Sequence, residues 1–193
     1  MKTNIILAGV GGQGILTIAA VLDTAALACN LNIKQSEVHG MSQRGGAVQS
    51  HVRISDKEIY SDLIPQGKAD MIISVEPMEL LRYLPFLKEN GLLVTDSNPF
   101  NNITDYPELE KLYTEIKSYP NCILIDAKKI AQDLGNSRAT NIVLLGAASS
   151  QLPLSDESLQ QAIKTLFERK GEKIVNKNIE AYNKGKEISI KTV

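Results

Sequence analysis

Ten residues near the start, Ile5-Ile6-Leu7-Ala8-Gly9-Val10-Gly11-Gly12-Gln13-Gly14, could do phosphate chemistry. Gly9, Gly11 and Gly14 stand at G-x-G-x-x-G spacing, behind an apolar run of strand length and ahead of a helix-length segment, Ile15 to Leu31. Such a turn lets an anion approach the backbone closely and points free helix N–H groups at it. The same turn can also serve only to pack a helix on a sheet. A second candidate is His39-Gly40-Met41-Ser42-Gln43-Arg44-Gly45-Gly46. Its paired glycines give a backbone able to wrap an anion, and Arg44 supplies a fork of donors suited to phosphate or carboxylate. The competing reading is a loop docked on a neighbouring subunit, with Arg44 paired to a carboxylate there. Nicotinamide binding would want an acidic residue about 20 positions beyond the turn. Glu37 is at a usable distance, but His39, Ser42 and Arg44 follow at once and fit that scheme poorly.

The remaining polar residues invite plainer readings. His51 alternates with apolar neighbours and reads as structural. Asp96 and Asp126 end strands, where a carboxylate often caps the next helix. No nucleophile–base pair lies close in sequence, and no paired carboxylates suggest hydrolysis.

The elements that must position these residues follow from periodicity. Ile5–Ala8 lacks polar alternation and reads as a fully buried strand. The helix after it, about Gly12 to Asn30, turns Ile15, Ala19, Leu22, Ala26 and Leu27 towards a sheet. Ala47 to Ile54 alternates, which predicts a strand with one less buried face, and Ile59-Tyr60-Ser61 reads as its returning hairpin partner. Buried strands are expected at 69–75, 92–96 and 122–126. Glu76-Pro77 opens a helix with Met78, Leu81, Leu84 and Leu87 on its apolar face, which Pro85 kinks or ends early and Asn90-Gly91 closes. A weaker helix spans 106–119, and a short one runs from Ala127 to Leu134. The last third is helical: a buried segment from Thr140 to Ser150, a helix capped by Ser155, and a final helix after Gly171. Residues 185–193 read as a frayed tail or an added edge strand.

The result is an α/β fold, an open, mostly parallel Rossmann-like sheet with helices on both faces, a β-hairpin insertion and a helical C-terminal third. It forms one domain over 1–193, with a core of about 4–184. Ligands in such folds bind at the carboxyl ends of the strands. That edge would gather Gly9–Gly14, Gly40–Gly46, Glu76-Pro77 and Ser97-Asn98.

Composition removes several functions. The 193 residues carry a net charge of −1, with 43% hydrophobic and 22% charged residues. This argues against electrostatic binding to nucleic acid or acidic membranes. No apolar run is long enough for a membrane span, and no signal peptide is evident. Two cysteines, Cys29 and Cys122, lie far apart, which suits a reduced, cytoplasmic protein. They are too few for an iron–sulfur cluster, and two histidines at this spacing make no ordinary zinc site. No metal site is expected.

Three stretches carry a resemblance: Gly9-Val10-Gly11-Gly12-Gln13-Gly14, then Gly40-Met41-Ser42-Gln43-Arg44-Gly45-Gly46, then Val52-Arg53. Together they resemble the gamma-type domain of 2-oxoacid:ferredoxin oxidoreductases, most nearly the beta subunit of the indolepyruvate branch. Glu76-Pro77 with Leu84-Pro85, and Asn141 leading into Leu145-Gly146-Ala147, are also similar, and the likeness covers about residues 4 to 180. The resemblance implies oxidative decarboxylation of a 2-oxo acid, such as an aryl pyruvate, to an acyl-coenzyme A, with electrons passed to ferredoxin. Thiamine diphosphate and iron–sulfur clusters would sit on a large partner subunit, since this chain lacks both a thiamine signature and cluster cysteines. Coenzyme A would be a substrate, and ferredoxin would be met through the complex. The candidate ligand-facing residues are then Gly9, Gly11, Gly12, Gln13 and Gly14 with Ser42, Gln43, Arg44, Gly45 and Gly46. A non-catalytic scaffold and a stand-alone nucleotide-dependent reductase are the alternatives. A homodimer of the isolated chain through its partner surface also stays open.

Overall fold

The computed structural model describes residues 1–40, 45–101 and 103–192. Six strands and seven helices are found there: β1 (Lys2–Val10), α1 (Ile15–Ala28), β2 (Asn32–His39), β3 (Ala47–Ser55), β4 (Ala69–Ser74), α2 (Pro77–Arg82), β5 (Leu87–Asp96), α3 (Leu109–Lys117), β6 (Cys122–Ile125), α4 (Ala127–Asp133), α5 (Thr140–Ala148), α6 (Asp156–Phe167) and α7 (Glu172–Thr192). The strands form one mixed sheet in the order β2-β3-β1-β4-β5-β6. β1, β4, β5 and β6 run parallel, while β3 is antiparallel to both β1 and β2.

Both faces are covered, as the absence of polar alternation in β1 requires. Ile5 and Leu7 point into the larger core under α1, α5, α6 and α7. Ile6 and Ala8 point the other way, into a smaller core with Leu80, Tyr83 and Ile116.

The hairpin differs from the one expected. β2 is the partner of β3, with Asn32 opposite Ser55 and His39 opposite Val48. Since β1 takes the other edge of β3, no edge is left for Ile59–Ser61. That segment crosses the sheet as a loop, anchored by buried Ile59 while Tyr60 is 85% exposed. It explains a second difference: both faces of β3 are buried. Ile64 N–H donates to His51 Nδ1 at 3.0 Å, and Arg53 Nη1 donates to the carbonyls of Ser61 (2.6 Å) and Leu63 (3.0 Å). The structural reading of His51 holds. Its pKa is lowered, chiefly because burial disfavours the imidazolium.

Leu27, the Asn90-Gly91 closure and the tail also differ from expectation, whereas Pro85 ends its helix early as expected. Leu27 lies one residue, about 100°, beyond Ala26 on the helix and is 63% exposed, outside the apolar face assigned to it. Pro85 ends α2 early: the helix stops at Arg82, a 3-10 turn covers Leu84–Phe86, and Leu87 begins β5. Asn90 and Gly91 therefore sit inside β5, where the register against β4 shifts and Asn90 takes φ 59°. The tail is neither frayed nor a strand: α7 continues to Thr192.

α7 runs on because it packs closely on α5. A Cβ on Gly185 would stand 1.9 Å from the Val143 carbonyl oxygen, and one on Gly146 would stand 2.0 Å from that of Tyr182. The two glycines let the helix backbones touch. Beyond the crossing, Tyr182 is fully buried and its hydroxyl donates to Asp156 Oδ1 at 2.6 Å. Lys186 also pairs with Asp156, and Ser189 meets Ser150 at 3.0 Å.

Candidate functional site

The glycine turn leaves β1 at the carboxyl end of the parallel strands. The residues of the motif play different parts. Gly14 is the N-cap of α1 in the left-handed region (φ 78°), and a Cβ there would meet Asn141 Nδ2 at 2.7 Å. Only glycine fits both conditions without strain. Gln13 folds back as a clamp: its Oε1 accepts from Val10 N–H at 2.7 Å, and its Nε2 donates to the Val75 carbonyl at 3.3 Å. The side chain thereby ties the end of β1 to the end of β4. Gly9 is small because that same Oε1 would lie 2.9 Å from a Cβ on it. Gly12 has open space where its side chain would be.

Gly11 joins the two glycine-rich stretches. Its N–H donates to the Gly46 carbonyl at 2.9 Å, and Gly45 N–H donates to the Gly11 carbonyl at 3.5 Å. The stem of the second loop is thus bonded to the turn, as the sheet-edge argument required. Met41, Ser42, Gln43 and Arg44 lie outside the described residues, as does the side chain of His39.

Beside the turn opens a cavity of about 490 Å³, lined by Gly12, Gln13, Gly14 and Thr17 from the first βα unit. The facing wall holds Asn98 and Phe100 after β5, and Asn141 at the start of α5. Asn141 Nδ2 donates to the Gly14 carbonyl at 2.8 Å, so α5 is locked against the turn. Three cations rim the space: Lys128 in the first turn of α4, Arg138 just before α5, and Lys170 after α6. Lys170 also lies over the Phe167 ring, 5.1 Å from its centre.

The carboxylates at this edge are committed elsewhere, as their capping reading anticipated. Asp96 Oδ1 accepts from Ala127 N–H (3.0 Å) and Asn98 Nδ2 (3.0 Å). Burial pushes its pKa up, while those hydrogen bonds pull the other way. Asp126 Oδ1 caps α4 through Lys129 N–H (2.9 Å) and accepts from Asn98 (2.8 Å), a bond that leads in holding its pKa below the usual range. Glu76 is fully buried and stays out of the cavity wall. Its Oε2 caps α2 through Glu79 N–H at 2.7 Å, and its Oε1 accepts from Phe100 N–H at 3.4 Å and from the Tyr106 hydroxyl. It thereby positions the segment that forms the far wall. Burial, then the bond to Glu76, raises the pKa of Tyr106.

The sequence reading missed Lys128, Arg138 and Lys170. Extending the strand-end rule past Asp126 reaches Lys128; the other two stand at helix ends that only the tertiary fold brings together.

The geometry suits a negatively charged ligand at a glycine-turn edge and does not suit an ordinary dinucleotide. The ribose-binding carboxylate of that scheme ends a strand adjacent to β1. Here β3 separates β2, which carries Glu37, from β1. Among the described residues no His, Cys, Asp and Glu cluster could hold a metal ion, and Cys29 ends α1 while Cys122 begins β6. Two thiols so placed do not fit the four-thiolate donor set of a cluster. Among the described residues no helix is long and apolar enough to cross a membrane.

The fold is an α/β domain whose glycine turn is bonded to the stem of a second glycine-rich loop beside a cation-rimmed cavity. The chain belongs to the pyruvate ferredoxin/flavodoxin oxidoreductase family, whose model matches residues 4–188. It is 40% identical over 192 residues to the indolepyruvate oxidoreductase subunit IorB of Pyrococcus horikoshii, covering 94% of this chain and 93% of that protein. The corresponding subunit of Archaeoglobus fulgidus is 38% identical over 194 residues, with 96% and 94% covered. Among solved structures, the gamma subunit of a keto/oxoacid ferredoxin oxidoreductase from Geobacter sulfurreducens matches with a TM-score of 0.72 at 26% identity, over 98% of this chain and 99% of that one. The resemblance seen in the glycine loops is therefore family membership.

Proposed function

We propose that this chain is the small subunit of a 2-oxo acid oxidoreductase acting on an aryl 2-oxo acid such as indolepyruvate. The 2-oxo acid and coenzyme A become carbon dioxide and an acyl-coenzyme A, and the electrons released pass to ferredoxin. Thiamine diphosphate and iron–sulfur clusters, held by a large partner subunit, would supply the decarboxylation and electron-transfer chemistry. The residues of this chain contribute charge and shape. Lys128, Arg138 and Lys170, with the exposed backbone of Gly12, hold the phosphates of coenzyme A at the edge of the shared site. Arg44 is assigned to the same anion on its residue type and its place in the second glycine-rich stretch. The observation that carries this reading is the bonding of the two glycine-rich stretches beside the cation-rimmed cavity.

The test is to titrate coenzyme A against the assembled complex, wild type and Arg44→Ala. A charge-assisted hydrogen bond to phosphate contributes about 1.5–3 kcal/mol, so affinity should fall about 10- to 100-fold. Unchanged affinity with unchanged assembly removes Arg44 from the site and favours a scaffold whose loops only brace the large subunit.

A further inference from the structure

The opposite edge of the sheet carries a second cavity, also of about 490 Å³, where β1, β4 and β5 begin and β3 ends. It is separated from the glycine turn by the length of β1, about 26 Å at ~3.3 Å per residue. Lys2, Arg53, Lys68 and Lys88 line it, against the single carboxylate of Asp70.

Arg53 is the unusual member. It is only 8% exposed, and a guanidinium stays charged at any ordinary pH. Nε donates to Asn4 Oδ1 at 3.0 Å, and Nη1 donates to the Ser61 and Leu63 carbonyls. No acceptor among the described residues takes Nη2, and no ion pair there neutralises the charge. The guanidinium therefore keeps one donor, Nη2, open to the cavity, where an anion can accept a charge-assisted hydrogen bond from it. Asp70 does not provide one. Its Oδ2 accepts from Asn4 N–H at 2.7 Å and its Oδ1 pairs with Lys88 Nζ at 2.5 Å. Lys2 and Lys68 stand at the rim with no carboxylate partner among the described residues.

We propose that this cavity is a second anion site, taking the phosphate group of a phosphorylated small molecule. Arg53 Nη2 binds the phosphate at the buried end, and Lys2 and Lys68 close over it at the rim. The volume lies in the range of small-molecule pockets and leaves room for more than a bare ion. Occupancy would tie the start of β1 to the 61–68 segment, which Arg53 already holds through two carbonyls.

The experiment is an NMR titration of the full chain with inorganic pyrophosphate at constant ionic strength. Saturable shifts are expected at the amides of Asn4, Gly67 and Lys68. The double variant Lys2→Ala/Lys68→Ala leaves the interior bonds of Arg53 intact and should weaken binding at those amides at least tenfold. Shifts at the glycine turn should be unchanged in it. A charge-matched control, Lys164→Ala/Lys173→Ala, should bind as wild type does. The proposal is overturned by absence of saturable shifts at Asn4, Gly67 and Lys68, by equal affinity in the rim variant, or by equal weakening in the control.

Discussion

Two places in this molecule depend on glycine, and they depend on it for different reasons. At the crossing of α5 and α7, Gly146 and Gly185 are small because another helix backbone occupies the space a side chain would need. At the end of β1, Gly12 faces open space and Gly14 is required by its left-handed φ and by Asn141. The crossing is a packing device with nothing left to bind. The turn leaves backbone exposed beside a cavity, which is what a ligand or partner can use. A glycine in a sequence reports close approach by something; the structure says whether that something is already present.

Substitution can break or sharpen this contrast. The largest effect is expected at the crossing. Gly185→Ala forces apart two packed helices, at about 3 kcal/mol, near the upper end for overpacking. For a chain of this size that lowers Tm by roughly 10 °C, measurable by thermal denaturation. Gly14→Ala should follow, at about 2 kcal/mol, because an L-residue is strained in the left-handed region and its Cβ meets Asn141. Gly12→Ala separates the two roles. Its φ of 101° carries some strain, but nothing lies within 4 Å of the added Cβ. The expected outcome is a loss of about 1 kcal/mol of stability by urea denaturation, with a larger loss of coenzyme A affinity in the complex. A stability loss equal to that of Gly185→Ala, with affinity intact, would make the turn a second packing device.

A pH-dependent effect concerns α1, the helix that the turn launches. Asp23 lies on it with Oδ1 buried and without a partner among the described residues. Burial, with a smaller contribution from Glu37, raises its pKa from 3.8 to about 6. The folded state therefore holds this proton more tightly than the unfolded chain does. Its favourable contribution is complete below the unfolded value and is lost as pH rises through about 6. Asp23→Asn should be more stable than wild type at about pH 8, and the difference should shrink towards about pH 4. Paired urea titrations at the two pH values check this.

Much of the fold was legible because it is local. The β1 run, the glycine turn, the α6 stripe with its Ser155 cap, and Asp126 as a helix cap follow from periodicity and short-range hydrogen bonding. The errors are non-local. Ile59–Ser61 has the composition of a strand, but β3 already has a neighbour on each edge. The tail from Gly185, read as frayed or as an edge strand, is helical because α5 and α7 pack closely at Gly146 and Gly185. The site divides in the same way. The glycine turn can be found in the sequence, whereas Lys128, Arg138 and Lys170 come from three separate helix ends. Gln13, chosen as a ligand contact, has both ends of its amide bonded within the protein.

The central claim is that the cation-rimmed cavity beside the turn holds the phosphates of coenzyme A. Its most direct test is the KM for coenzyme A of the assembled complex carrying Lys128→Ala/Arg138→Ala. Two exposed cations moved off a polyphosphate should raise KM at least tenfold while kcat at saturation and subunit assembly stay near wild type. An unchanged KM in a fully assembled complex would contradict the account.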